Sequence, residues 1–359
     1  MEKPQEHRAG TVALVGLPNA GKSTLMNQIL EQKVSIVSSK PQTTRNRILG
    51  ILTQSGLQIA FVDTPGIHQP KGRLHRIMVR AAEEVIPEVD VVCWVVDAVA
   101  LTRKRGKGNE IIYGGTKHLC NLLKNQANLL VLLNKIDLVK KSNLLPVFAA
   151  FGQELPKAEI FPLSAKNGDN CDTLIEVIKG LLPVSPPLFP SHYITDVSER
   201  FLVAEMIREK IFALTNQEIP YSIAVEIEQF VERESEDETT PKGAKEQSSE
   251  SQEIASEAAN SEQVDLSNAD LVEQFLSAPE LTQEKKRGVI EIFARIWVER
   301  SSQKGIIIGK QGAKLKEIMS RARIDIERLL GTRVWIDAHV SVLERWSDDP
   351  RRLKQLGYE

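Results

Sequence analysis

From Thr11 to about Leu182, short apolar runs alternate with stretches of helical periodicity. The segments TVALV (11–15), RILGIL (47–52), LQIAFVD (57–63), VDVVCWVVD (89–97), NLLVLLN (128–134) and EIFPL (159–163) read as strands. Several are apolar nearly throughout, as strands covered by helices on both faces must be. The alternation predicts an α/β domain with a mainly parallel sheet over 9–182. Prolines at 183, 186, 187 and 190 then exclude helix and predict an extended linker over 183–195. Beyond it, SERFLVAEMIREKIFAL (198–214) has the spacing of an amphipathic helix and PYSIAVEIEQF (220–230) alternates like a strand. VIEIFARIWVER (289–300) reads as a strand, followed by a Gly-containing turn, a helix from about Lys314 to Leu330 and a last strand, RVWIDAHVSV (333–342). The order αββααβ predicts a second, α+β domain over 196–230 and 286–345, with a C-terminal segment over 346–359.

Composition changes this picture at one place. Residues 232–280 contain eight serines and a single aromatic, Phe275. That is too little apolar material to offset the entropy of ordering, and it predicts a disordered insertion over 231–285 at the tip of a hairpin. Within it, SNADLVEQFL (267–276) has the pattern of a transient helix. The insertion also hides a charge asymmetry: 231–280 carry 14 acidic and 3 basic residues, so a chain of formal charge -2 has a body of net +9. Cys93, Cys120 and Cys171 form no CxxC pair, which argues against a disulfide framework or zinc knuckle. The first ten residues hold no apolar stretch, and runs such as Val91 to Val96 fall short of the ~20 residues that span a bilayer. A cytosolic protein with reduced thiols and no export signal is expected.

Candidate chemistry begins where TVALV runs into Gly16-Leu17-Pro18-Asn19-Ala20-Gly21-Lys22-Ser23-Thr24 and a helical pattern. This is GxxxxGK[ST] in its strand, loop, helix setting. Backbone N–H groups there face phosphates, Lys22 brings a cation to the β- and γ-phosphates, and Ser23 is placed to ligate Mg²⁺. Asn134-Lys135-Ile136-Asp137 closes a strand about 110 residues later. Its carboxylate can accept both guanine N1–H and N2–H, a donor pair adenine lacks, and so selects GTP over ATP. Asp63-Thr64-Pro65-Gly66 follows LQIAFV, placing Asp63 for a water-mediated Mg²⁺ contact and the Gly66 amide for the γ-phosphate. Ser164-Ala165-Lys166 follows EIFPL, with the Ala165 amide a donor for guanine O6.

With these four elements in this order the sequence resembles the translation-factor-related GTPases. Pro41-Gln42-Thr43-Thr44-Arg45-Asn46-Arg47, DTPGIHQPKGRLHRIM (63–78) and the αββααβ unit narrow the resemblance to the Era family of bacterial ribosome-assembly GTPases, a GTPase domain followed by a type II KH domain. It covers about 11–230 and 287–358 and leaves the acidic insertion outside the pattern. The resemblance implies that Thr44 is the switch I threonine that contacts Mg²⁺ in the GTP state, making Lys22, Thr44 and Gly66 the candidate catalytic groups. Ras-like enzymes use a glutamine after the DxxG glycine to orient water. Here that position is Ile67, and slow intrinsic turnover is expected. Related potassium-activated GTPases carry asparagine at the position of Asn19 as a K⁺ ligand; Asn19 as a plain loop-shaping residue carries equal weight.

In the second domain, Ile308-Gly309-Lys310-Gln311-Gly312 stands before a helix bearing Lys314, Lys316, Arg321 and Arg323. A GxxG loop lets the backbone lie against nucleotide phosphates, with Lys310 and the helix N-terminus adding positive potential. Residues 281–359 hold 17 basic and 11 acidic residues, a modest excess suited to short single-stranded RNA more than to a duplex. Resemblance to the family implies that this groove recognises the 3′ end of 16S rRNA and that the protein acts as a monomer in assembly of the small (30S) subunit, with peripheral contact at the inner membrane. A competing reading is a GTP-regulated RNA-binding or membrane-surface scaffold in which hydrolysis has little role. The acidic insertion reads as a passive spacer or, alternatively, as an electrostatic competitor for the basic groove.

Overall fold

The computed structural model describes residues 6–38, 40, 43–70, 72–103, 110–215, 222–233 and 288–358. The apolar runs form β1 (Arg8–Val15), β2 (Ile48–Gln54), β3 (Leu57–Asp63), β4 (Val91–Asp97), β5 (Leu129–Asn134) and β6 (Glu159–Pro162). They lie in the order β2-β3-β1-β4-β5-β6, parallel throughout except for the β2–β3 hairpin. Period-two alternation sends Val12 and Leu14 into one core and Ala13 and Val15 into another on the opposite face. The first core is closed by α1 (Lys22–Leu30) and α6 (Cys171–Leu181). The second is closed by α2 (Arg73–Val85), α3 (Ala98–Arg103), α4 (Gly114–Leu123) and α5 (Lys141–Glu154). Cys93, Cys120 and Cys171 are buried free thiols, and burial pushes the Cys171 thiol up to about 11.

The proline-rich segment is extended but docked. Ile51 N–H donates to the Ile194 carbonyl at 2.7 Å, the Thr195 hydroxyl to the Leu49 carbonyl at 2.7 Å, and Leu49 N–H to Asp196 Oδ1 at 3.1 Å. Gln58, fully buried, accepts from the Leu188 and Phe189 amides and donates to the Phe189 carbonyl. The free edge of β2 is thereby covered, which disposes of an unpaired strand edge.

The second unit comprises α7 (Glu199–Leu214), β7 (Ile223–Arg233), β8 (Val289–Val298), α8 (Ser301–Ile308), α9 (Ala313–Leu330), β9 (Val334–Val342) and α10 (Pro350–Gln355). Ser198 caps α7 by accepting from the Phe201 amide. The sheet order is β7-β8-β9, antiparallel then parallel. The segment read as a Gly-containing turn after β8 is helix α8, the first of the two consecutive helices in the expected αββααβ order. Its start is set by the Gln303 side chain, which accepts from the Glu299 and Arg300 amides, and its hold on the core by Ile307, which is fully buried. Gly305 inside it conceals the helical signal. β7 runs to Arg233, three residues past the expected strand end, and the remainder of the expected acidic insertion lies outside the described residues. Among the described residues no helix is long and apolar enough to cross a membrane.

The two units meet along α2 and the loop after α1. Leu74 and Met78 of α2 pack with Ala224, Trp346, Leu353 and Tyr358. Lys33 donates to Glu209 at 2.6 Å and to Asp325 at 3.0 Å, and Lys210 shares Asp325.

Burial pushes the Asp196 carboxyl up to about 6, with the Leu49 amide opposing. The native state therefore holds more protons than the unfolded chain between about pH 4 and 6, and stability falls as pH rises through that window. Asp196→Asn keeps an acceptor for Leu49 N–H without the charge. Thermal melts should show it more stable than the parent at pH 7.5, by about 1–2 kcal/mol, with the gain gone at pH 4.

Candidate nucleotide and nucleic-acid sites

The parallel strands end together, and the loops after β1 and β3 converge there with the loop before β2. The loop after β1 and the start of α1 border a cavity of about 440 Å³ lined by Pro18, Asn19, Gly21, Lys22, Ser23 and Thr24 on one side. Ile36, Val37, Ser38, Thr43, Thr44 and Gly66 face them, with Asp97 and Lys135 at one end. Lys22 Nζ donates back to the Gly16 and Leu17 carbonyls at 3.4 and 3.2 Å. Burial pushes its ammonium down to about 8, partly opposed by Asp63. Asp63 is itself pushed up by burial, against the pull of Lys22 and of the Ser23, Ser35 and Thr44 hydroxyls. An anion beside Lys22 and a cation beside Asp63 would each favour the charged form that burial disfavours.

Ser23 and Thr44, which line this cavity, meet the buried Asp63 carboxylate behind its wall. Ser23 Oγ lies 2.9 Å from Thr44 Oγ1 and 2.6 Å from Asp63 Oδ2, and Thr44 Oγ1 lies 3.5 Å from Asp63 Oδ2. Asp63 Oδ1 is buried without a hydrogen-bond partner. Two hydroxyls and a carboxylate with an orphaned oxygen form a hard-oxygen set that suits Mg²⁺.

Several predicted residues serve the framework instead. The Thr64 hydroxyl is spent on the Leu14 carbonyl at 2.8 Å, and Ile67 is buried in the core with its amide on the Gly16 carbonyl. Neither Thr64, Pro65 nor Ile67 lines the cavity. Gly66 does, and only glycine fits: a Cβ there would stand 2.7 Å from the Pro18 amide nitrogen. Asn19 sits in the left-handed region at φ 63°, a conformation asparagine tolerates well.

At the far end Asn134 is the hub. Its Nδ2 donates to the Ala20 carbonyl, and its Oδ1 accepts from the Lys135 and Ala165 amides. The Ala165 amide, expected to face guanine O6, is thus engaged by Asn134 at 2.9 Å. Ser164 donates to Asp137 Oδ1 at 2.7 Å and so orients that carboxylate. Lys135 spans to the Asn19 carbonyl and to Asp97, which sequence reasoning did not single out. Lys166 is exposed and outside the cavity.

In the second unit, Gly309 and Gly312 both take positive φ, and a groove of about 460 Å³ opens between α9 and β9. Gly312, Lys316 and Arg323 line it. The other wall, Trp335 to Ala338, and the floor residues Leu315 and Met319 were not anticipated. Trp335 remains 49% exposed and rests edge-on against Phe293. Ile308, Gly309, Lys310, Gln311, Lys314 and Arg321 do not line the groove. Arg321 pairs with Glu317 one turn back, because a spacing of two from Arg323 puts it on another face of the helix.

Comparisons with known proteins agree with both halves. Residues 11–135 match the family model described as 50S ribosome-binding GTPase, and residues 276–347 match the KH domain model. The chain is 41% identical to GTPase Era of Geotalea daltonii over 99% of both chains, and 42% identical to that of Geotalea uraniireducens over the same share. Among solved structures, Era in complex with MgGDPNP and nucleotides 1506–1542 of 16S ribosomal RNA matches with TM-score 0.78 at 33% identity, over 98% of this chain and 99% of that one. A variant of Aquifex aeolicus Era bound to GDP and AlF₄⁻ matches with TM-score 0.75 at 34% identity and the same coverage.

Gly66→Ala drives a methyl group into the backbone at Pro18. GTP turnover should fall by more than tenfold in a phosphate-release assay while circular dichroism stays that of the parent.

Proposed function

Since this chain belongs to the GTPase Era family, and is a GTPase with a C-terminal KH domain, we propose that it is a slow GTP-driven switch that binds the 3′ end of 16S rRNA during small-subunit assembly. The observation that carries the reading is the meeting of Ser23, Thr44 and Asp63 beside the cavity lined by the loop after β1. The Ser23 and Thr44 hydroxyls would hold Mg²⁺ directly and Asp63 through water, and the ion supplies neutralisation of charge on the β- and γ-phosphate oxygens. Lys22 and the amides of residues 16–24 bind phosphate oxygens, the Gly66 amide meets the γ-phosphate, and Asp137 selects guanine. Asn134, Lys135 and Ser164 hold that carboxylate and its loop in place.

Ile67 cannot hold a water, so this chain hydrolyses GTP slowly and draws rate from positioning, from the metal and from K⁺ at Asn19. Turnover in K⁺ should exceed that in Na⁺, and Asn19→Ala should abolish the difference; equal rates in the two salts would overturn the assignment of Asn19.

RNA enters the groove between α9 and β9, where Lys316 and Arg323 meet phosphates and Trp335 offers a stacking face. The site of action is the cytoplasm, on the 30S subunit, as a monomer; peripheral contact with the inner membrane is carried by family resemblance alone. The test is binding of a short RNA matching the small-subunit rRNA 3′ end, against a scrambled RNA, with a nonhydrolysable GTP analogue or GDP at fixed salt. Selective binding favoured by the analogue is expected, and equal, salt-sensitive binding to both RNAs would overturn the reading. In the same assay Lys316→Ala and Arg323→Ala should each lower affinity and reduce the salt slope by about one. Arg321→Ala, off the groove, should change neither.

A further inference from the structure

Thr44 reaches Ser23 and Asp63 from a loop with almost no secondary structure of its own. Asn27 and Asp63 hold its first half at Val34 and Ser35, but the residues on either side of Thr44 are fastened by the other domain. On one side of Thr44, the Thr43 carbonyl accepts from Arg208 Nη2 of α7 at 2.6 Å. Arg208 is 1% exposed, is bound through its Nε and Nη2 by Glu205, and lies over the Phe212 ring. On the other side, Arg45 donates to the Ile223 carbonyl at 2.7 Å and to the Tyr358 hydroxyl at 3.2 Å. Its guanidinium stands 5.7 Å from the Trp346 ring and 5.6 Å from the Tyr358 ring, which stack on each other. The next residue, Asn46, donates to the Gly357 carbonyl. The immediate neighbours of Thr44 in the chain are thus both fastened to residues that lie outside the GTPase domain.

We infer that Arg208 and Arg45 are positioning residues for Thr44: the KH domain and the C-terminal segment hold the threonine hydroxyl at the metal site, and the domain that binds RNA thereby sets affinity for the GTP state. This rests on the reading of Thr44 as a metal ligand. The physical reason is geometric. A loop anchored on both flanks of one residue leaves that residue's side chain little freedom, and a hydroxyl held in place before the ligand arrives loses less entropy on binding it. The coupling is reciprocal: whatever favours Thr44 at the metal favours the docked domain by the same factor. GDP lacks the γ-phosphate oxygen that would join the β-phosphate oxygen on the metal, so the gain from holding Thr44 in place would fall mainly on the triphosphate.

The test uses full-length protein and compares affinities for a nonhydrolysable GTP analogue and for GDP, with Mg²⁺ titrated, in the parent, Arg45→Ala, Arg208→Ala and Thr44→Ala. Both arginine variants should lose about tenfold in affinity for the analogue and require more Mg²⁺ to bind it, with GDP affinity within twofold of the parent. Combining either with Thr44→Ala should add no further loss. In nucleotide-free protein, amide exchange over residues 43–46 should quicken in both arginine variants. Equal losses for GDP and the analogue would reduce the arginines to structural supports and overturn the inference. So would unchanged exchange, or a loss confined to Thr44→Ala. No loss in Thr44→Ala would overturn the reading of Thr44 itself. Should Arg208→Ala fail to fold, which lost GDP binding would report, Arg45→Ala decides the matter, since Arg45 stands in a loop whereas Arg208 is packed within α7 against Glu205 and Phe212; Arg45→Lys, which keeps the charge over the rings, should restore part of the affinity.

Discussion

The loop between α1 and β2 has to satisfy two sets of partners at once, and the rest of the architecture is arranged around that demand. Inward, Ser35 and Thr44 hydrogen-bond to Asp63. Outward, Lys33, Val37, Thr43, Arg45 and Asn46 bond to Glu209, Arg208, Ile223, Tyr358 and Gly357. Arg45 and Arg208 are each nearly fully buried, and a buried guanidinium is tolerable only while its partners are in place. Removing either set of partners leaves desolvated charge behind. The docked arrangement therefore forms or dissolves as a unit and does not loosen contact by contact.

The helix that borders the RNA groove takes part in the same unit. One face of α9 presents Gly312, Lys316 and Arg323 to the groove, while Asp325 on another face binds Lys33 and Lys210. A rigid helix with the groove on one side and the nucleotide-binding domain on the other is a short physical path between the two.

Much of this was legible in the chain because phosphate- and base-binding loops are written in local backbone chemistry: Gly66 must be glycine to pass Pro18, and Asn134 must offer both a donor and acceptors. What escaped is tertiary. Helix α8 was hidden by Gly305 and is started by the side chain of Gln303 reaching back to Glu299 and Arg300. Trp335 belongs to the groove only because β9 lies parallel to β8 beside α9. Arg321 and Lys314 looked equivalent to Lys316 and Arg323 as charges, yet helical geometry turns them away. The docking of 188–196 depends on Gln58, a lone polar residue inside an apolar strand whose meaning appears only with its partner some 130 residues away. Ala165 N–H, expected to face the base, bonds to Asn134, whose Oδ1 gathers the amides of two loops.

That docked linker sets a mechanical limit. The chain is hydrogen-bonded to β2 as far as Asp196, Val197 and Phe201 pack on the first core, and α7 begins at Glu199, so the join between the domains is no more than a few residues long. Were the interface to open, the KH domain could not drift; it could only pivot about this short join, at an effective concentration that keeps re-docking a first-order event whatever the cellular abundance of the protein. The pivot abuts β2, whose first residue, Ile48, follows Arg47 at the end of the anchored loop. A rotation of the KH domain is consequently delivered as torque at the base of that loop.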